Sequence, residues 1–250
     1  MKENKVIIIG GGLAGLTAAI DLRKKAISVI LIEKNSYPRH KVCGEYISNE
    51  VLPYLNILGV NPFLNGAVKI DKLHFSGSSG DSIKTSLPMG GFGISRYLLD
   101  KVLYDKALLD GVKIIESQVE NVEFIDDNFK VTISDGSILK ASVVIGSYGK
   151  RSSLDIKLKR EFITQKSPWL AVKSHYRAKY PTDLVSLHNF KGGYCGLSKV
   201  EDDRINVCYL VNYKVFKEYK DIDQFNARIV RKNPHLDAFF GESEMIFDKP

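Results

Sequence analysis

The chain has 250 residues, 44% apolar and 26% charged, an ordinary globular balance with ample length for a core. Its three cysteines, Cys43, Cys195 and Cys208, are few, odd in number and not at metal-ligand spacing. That argues against a zinc or disulfide framework and for a reducing, cytoplasmic setting. The net charge of +7 admits a polyanionic partner, but the lysines are scattered and no nucleic-acid motif stands out. The charge therefore reads as solvated surface, with a part facing a bound diphosphate or an acidic lipid headgroup.

Residues 5–9 read as a buried strand, because Val6-Ile7-Ile8-Ile9 is a β-branched run that ends in glycines. The lead-in Met1-Lys2-Glu3-Asn4-Lys5 has no secretory-signal character, and no run approaches the roughly 18 apolar residues of a membrane span. Leu13, Leu16 and Ile20 recur at helical spacing to about residue 25, and a second apolar strand over 28–32 leads to Glu33. A loop over 35–48 precedes a short helix carrying Val51, Leu52, Leu55 and Leu58, with Pro53 in its first turn. Strands are expected over 72–75 and 83–87, joined by a turn at 76–80. Ser95 is positioned to cap a helix that runs to Leu109 and stops at Gly111. Strands follow over 112–116, 121–125 and 129–133, and Asp135-Gly136 turns the chain before another at 142–145. The rest is β in character, chiefly 171–176, 185–189 and 206–211. A last helix with Phe225, Ile229 and Val230 is expected to stop near Pro234.

The segment Gly10-Gly11-Gly12-Leu13-Ala14-Gly15 fits G-x-G-x-x-G and lies between a buried strand and a helix. Glu33 follows Gly15 by 18 residues, at the end of the next strand. This spacing is that of a dinucleotide-binding βαβ unit. Gly10 permits the tight turn, Gly12 lets the backbone approach a diphosphate, and Gly15 lets helix and strand close-pack. The helix start offers N–H groups and partial positive charge to phosphates. Glu33 accepts from a ribose hydroxyl and repels a 2′-phosphate, which disfavours NADP here. The fingerprint leaves FAD and NAD both open.

Downstream, Pro38-Arg39-His40-Lys41-Val42-Cys43-Gly44-Glu45 resembles the P-R-x-K-x-C-G-[DEG] segment of one flavoprotein branch. That branch is the geranylgeranyl reductase-like group within the para-hydroxybenzoate hydroxylase superfamily. Gly93-Ile94-Ser95-Arg96 with Asp100 is similar to its G-I-x-R-x-x-L/F-D segment, and residues 143–153 stand in the place of its G-A-D-G-x-x-S segment. The resemblance implies an FAD cofactor and an α/β fold: a Rossmann-like FAD-binding domain with an interlaced β-sheet substrate domain. The expected bounds are 1–66 and 90–160 for the FAD domain, and 67–89 and 161–250 for the substrate domain. It also implies cofactor contacts from Gly10, Gly12, Leu13, Ala14, Gly15, Glu33, Lys34, Arg39, Lys41, Cys43, Gly44 and Arg96. Arg39 and Arg96 are the candidates to pair with the diphosphate. Cys43, Glu45 and Tyr194 are candidates to line the flavin and substrate site, and Arg151 and Ser152 fall near the cofactor. Gly192-Gly193-Tyr194-Cys195-Gly196 looks like the family's glycine-aromatic strand, or else is a turn between two strands.

Three departures stand out. Tyr148 occupies the position of the family's Asp, Tyr194-Cys195-Gly196 lacks the Trp of its P-x-x-Y-x-W-G segment, and the chain stops before its G-D-A segment. The last predicts weak FAD retention. Trp169, Tyr176, Phe190 and Tyr209 serve equally as walls of an apolar cavity or as core. The five histidines lack metal spacing and read as structural or exposed. The expected activity is hydride transfer from reduced flavin to a small hydrophobic unsaturated or aromatic substrate. Hydroxylation with oxygen, or a non-catalytic nucleotide-binding module, stands as the alternative. With no second Rossmann fingerprint, NAD(P)H would dock only transiently. A lipid substrate would allow peripheral membrane contact.

Overall fold

A computed structural model of the chain describes residues 5–150, 152–219 and 221–249. Residues 1–4 and Arg151 lie outside these. The chain divides into two compact units, the first formed by Met1–Arg39, Ile57–Val60 and Tyr97–Lys166. The second comprises His40–Asn56, Asn61–Arg96 and Ser167–Pro250. Residues 40–56, 61–66 and 90–96, grouped with the cofactor domain in the sequence reading, thus pack in the second unit.

In the first unit a four-stranded sheet runs in the order β10 (Val143–Gly146), β1 (Lys5–Ile9), β2 (Ser28–Glu33) and β6 (Lys113–Glu116). Its pairings are all parallel, with Val6 opposite both Val143 and Val29. A parallel strand flanked on both faces needs apolar residues at every position, which is why Val6–Ile9 and Val29–Ile32 lack alternation. Helix α1 (Leu13–Lys24) connects β1 to β2 and buries Gly15, Leu16, Ala19 and Ile20. Helix α3 (Arg96–Leu109) buries Leu99, Leu103 and Ala107. A three-stranded antiparallel sheet of β7 (Val119–Ile125), β8 (Asn128–Ile133) and β9 (Ile138–Ala141) packs Val119, Val131, Ile133 and Ala141 with Ile7 and Ile9 of β1 and Ile30 and Ile32 of β2. Strand β9 was not expected; Ser142 alone separates it from β10. Helix α4 (Ser153–Lys157) follows β10, with the Ser152 hydroxyl accepting from the Leu154 N–H.

The second unit is built on an eight-stranded sheet. Its order is β15 (Glu244–Met245), β11 (Trp169–Arg177), β14 (Ile205–Asn212), β13 (Gly193–Lys199), β12 (Leu184–Phe190), β4 (Val68–Ser76), β5 (Ser82–Gly93) and β3 (Tyr46–Ser48). Gly192–Gly196 therefore resolves into a turn residue at φ 83° and the start of β13. One sheet face packs Val172, Phe190, Leu197, Val207, Tyr209 and Val211 against Phe225, Ile229 and Leu236, with Tyr176 at the margin. Tyr176, Phe190 and Tyr209 thus belong to the core, whereas Trp169 is exposed. Two short helices join β3 to β4 and follow β14: α2 (Leu52–Leu58) and α5 (Tyr213–Phe216).

The chain end differs from expectation. Helix α6 (Ile222–Arg228) stops before Pro234, and Pro234 opens a further helix, α7 (Pro234–Gly241), instead of ending one. Proline fits the first helical turn, where its missing N–H would be unsatisfied anyway. Asn233 caps α7, its Oδ1 accepting from the His235 N–H at 2.9 Å. Its Nδ2 donates to Ser76 Oγ, Gly77 O and Asn189 O within 3.0 Å. No helix among the described residues is long and apolar enough to cross a membrane.

Candidate functional site: a nucleotide cradle and a buried charge cluster

Gly10 sits at φ 103°, a conformation that side chains resist, and a Cβ there would lie 2.5 Å from Ser147 O. A Cβ on Gly15 would lie 1.9 Å from Gly10 O. Both glycines are therefore required by close backbone approach. Ser147, at the end of β10, locks the turn: its N–H donates to Ile9 O at 2.7 Å and its hydroxyl to Gly10 O at 2.7 Å. Gly12 is the N-cap of α1, Leu13 and Ala14 form its first turn, and no side chain caps it. The helix start is left open to an anion.

Glu33 is buried at the end of β2. Its Oε2 accepts from Gly11 N at 2.7 Å, and its Oε1 from Arg39 Nη1 at 2.9 Å and from the backbone and side chain of Asn35 at 3.1 Å. Oε1 is saturated, whereas Oε2 keeps a lone pair for one more donor such as a ribose hydroxyl. Burial raises the Glu33 pKa, but the Arg39 bond and the Gly11 N–H outweigh it and hold the carboxyl below its usual value. Arg39, expected against the diphosphate, is found paired with Glu33. Tyr37, not singled out from sequence, donates its hydroxyl to Gly11 O and stacks on Tyr104 at 4.5 Å. Its signal was only a tyrosine after the acid strand, too weak to read without the fold.

A cavity of about 330 Å³ opens off the carboxyl ends of β1, β2, β6 and β10. Ile9, Gly10, Ile32 and Glu33 form its floor, with residues 117–119, Tyr148 and residues 152–154 as walls and Lys34, Arg39 and Lys150 at its rim. A crevice past the carboxyl ends of parallel strands is where open α/β sheets bind ligands, and the volume lies in the small-molecule range of about 300–1,000 Å³. The donor set, the glycine turn and the apolar floor fit an adenosine diphosphate moiety.

Lys41, Cys43, Gly44, Glu45, Arg96 and Tyr194 belong to the second unit. Lys41 is half-buried, Cys43 is a half-buried free thiol and Gly44 is exposed. The Cys43 and Gly44 carbonyls accept from Asn206 Nδ2 at 3.3 and 2.8 Å. Glu45, at φ 53°, is buried and accepts from Arg96 N at 2.8 Å, Lys173 Nζ at 2.9 Å and His175 Nε2 at 2.7 Å. Burial raises its pKa, but His175 and Lys173 outweigh that and lower it overall. Ser95, expected as the cap of α3, gives its N–H to Glu201 Oε2 at 2.8 Å and its hydroxyl to Oε1. Tyr194 is on the same face as Lys173, His175 and Cys208, because register pairs Tyr194 with Leu210 and Gly196 with Cys208. It stands two positions along that face and is half-exposed.

Of the histidines, only His40 is exposed. His74, His188 and His235 meet with ring centroids 4.7–5.0 Å apart, and burial, then the neighbouring imidazoles, lower the His188 pKa to about 3. No group of metal-ligating side chains is present among the described residues.

The glycine cradle, the acid at the end of β2 and the two units define a protein with the fold of FAD-dependent monooxygenases and halogenases. The flavin-dependent halogenase CmlS superposes with a TM-score of 0.83 over 99% of this chain and 49% of that one, at 24% identity. Residues 5–178 match the family model described as lycopene cyclase protein, and the chain belongs to that family. Menaquinone reductase of Mycobacterium tuberculosis is 26% identical over 185 residues, 71% of this chain and 45% of that protein. An FAD-dependent monooxygenase of Penicillium janthinellum is 31% identical over 176 residues, 60% of this chain and 34% of that protein. The chain spans less than half the length of these relatives.

Proposed function

We propose that the chain carries the nucleotide-binding unit and sheet unit of an FAD-dependent oxidoreductase. Its substrate would be a small hydrophobic unsaturated or aromatic molecule, reduced by hydride transfer in the manner of the geranylgeranyl reductase-like branch. The observation that carries this reading is the cradle itself: Gly10 and Gly15 forced by backbone contact, with an ionised Glu33 keeping one acceptor site. The bound flavin would supply the redox chemistry. The chain's own residues do the binding. The α1 start takes the diphosphate, Glu33 Oε2 accepts from the ribose, and the cationic rim of Lys34 and Lys150 offsets the phosphate charge. Support for reduction comes from the Pro38–Glu45 pattern and from the relative named a menaquinone reductase. NAD(P)H would be the transient electron donor, and a lipid substrate would bring the protein to a membrane surface.

Monooxygenation is the second reading, favoured by the 31% identity to an FAD-dependent monooxygenase. Anaerobic saturation of an alkene supports reduction; oxygen uptake coupled to NAD(P)H oxidation with an aromatic present supports hydroxylation. The first experiment is a visible absorbance spectrum of the purified chain before and after incubation with FAD and desalting. A protein-perturbed flavin spectrum is expected on adding FAD, fading on desalting because the chain lacks the G-D-A segment of the pattern it resembles. A folded chain that binds ADP but no flavin points to a nucleotide-binding module, and one that binds neither overturns the proposal.

A further inference from the structure

Tyr148 is the aromatic side chain among the described residues that line the cavity, and it is held at three points. Its Cα backs onto the glycine turn, where a Cβ on Gly10 would lie 2.5 Å from it. Its ring edge rests on Gly146, where a Cβ would be 2.9 Å from Cε1. Its hydroxyl donates to Asp155 Oδ1 at 3.2 Å, and Asp155 is itself buried in the first turn of α4. The ring also packs on the core that contains Ile9, Val119 and Leu154, so the surface it gives the cavity is held at no further cost in side-chain entropy. Around it the cavity offers apolar contacts from Ile9, Ile32 and Val119 and cations from Lys34 and Lys150. A flat heterocycle joined through a hydroxylated linker to an anionic group satisfies all three features together.

We propose that Tyr148 is a specificity-determining residue that stacks on the purine base of the bound nucleotide. The cavity then selects its ligand by base as well as by phosphate. This rests on the dinucleotide reading above and deepens it. The flavoprotein pattern that the sequence resembles has Asp at this position, which offers no π face, so the stacking contact is a feature of this chain.

The test is calorimetric titration of ADP and, separately, inorganic pyrophosphate into the wild-type chain and into Tyr148→Phe and Tyr148→Leu. Stacking of one base on an aromatic ring predicts ADP binding roughly 10- to 100-fold weaker in Tyr148→Leu, with pyrophosphate affinity unchanged. Tyr148→Phe should bind ADP within about threefold of wild type, since the face is kept and only the tether to Asp155 is lost. Equal ADP affinity in wild type and Tyr148→Leu overturns the assignment. So does a parallel loss of ADP and pyrophosphate binding, which would mark a merely structural role. If circular dichroism shows Tyr148→Leu unfolded, adenine hypochromism on ADP binding to Tyr148→Phe decides: its presence supports stacking and its absence overturns it. A wild-type chain that ignores ADP overturns the nucleotide reading itself, an outcome seen without any variant.

Discussion

A methyl group at residue 15 would have to occupy space 1.9 Å from Gly10 O and 2.7 Å from Ser147 Oγ. Neither neighbour can yield easily, because Ser147 ties β10 to the turn through two hydrogen bonds to Gly10 and Ile9. Gly15→Ala should therefore cost about 1–3 kcal/mol as an overpacked site. Urea unfolding measures it, and a loss below about 0.5 kcal/mol would mean that α1 can move off the sheet. At Glu33 the argument is electrostatic. Its folded pKa lies below its ordinary value, so its stabilising contribution is complete above the unfolded pKa of about 4.5. That contribution fades as pH falls through the folded value. Glu33→Gln should thus be less stable than wild type at neutral pH, with the gap closing below about pH 4. Parallel stability–pH curves for the two proteins would show that the Arg39 and Gly11 contacts contribute nothing as charge pairs.

At the scale of elements, the chain end gives the sharpest case. Asn233 is fully buried and joins the start of α7 to β4, the 77–81 turn and β12 through three donated bonds, besides capping the helix. Asn233→Ala removes a cap worth about 1 kcal/mol and strands buried acceptors, for a total of about 2–4 kcal/mol. Equilibrium unfolding would show it, accompanied by faster amide exchange in α7; unchanged exchange there would mean that the cap does not hold the helix. None of this was legible in the sequence, where Asn-Pro after a helical run reads as a stop. The same Asn-Pro pair starts a helix when the preceding one has already ended, and the tertiary bonds that Asn233 donates to Ser76 and Asn189 decide between the two. By contrast β1, α1 and β2 were readable, because a fully buried parallel strand and a glycine-opened helix are written in consecutive residues. Strand β9 escaped notice: it is an exposed-to-buried sequence of four residues whose membership is set by pairing with β8. Glu45, Lys173 and His175 stand 128 and 130 residues apart in pairs, so their cluster has no local signature.

For the whole molecule, the cradle and its cavity belong to one unit, built from three separate stretches of chain. That unit has its own core of Ile7, Ile9, Ile30, Ile32, Val131 and Leu154. A ligand that binds the folded cradle and not the unfolded chain stabilises it by mass action, by about 2.7 kcal/mol at a hundredfold excess over Kd. The stabilisation should appear where the cavity floor is made. Amide exchange should slow most in β1, in the first turns of α1, in β2 and in β10 when ADP is added. Those amides that exchange through unfolding of the unit should slow by about 100-fold. Slowing confined instead to β11–β14 would put the nucleotide on the second unit and separate the glycine fingerprint from the binding it has been assigned. The measurement also bears on the net charge of +7: if Lys34 and Lys150 meet the phosphates, the ADP effect weakens as salt is raised, because rim cations act through solvent. An ADP effect insensitive to salt would leave those lysines as plain surface charge and place the binding energy in the backbone turn and the base.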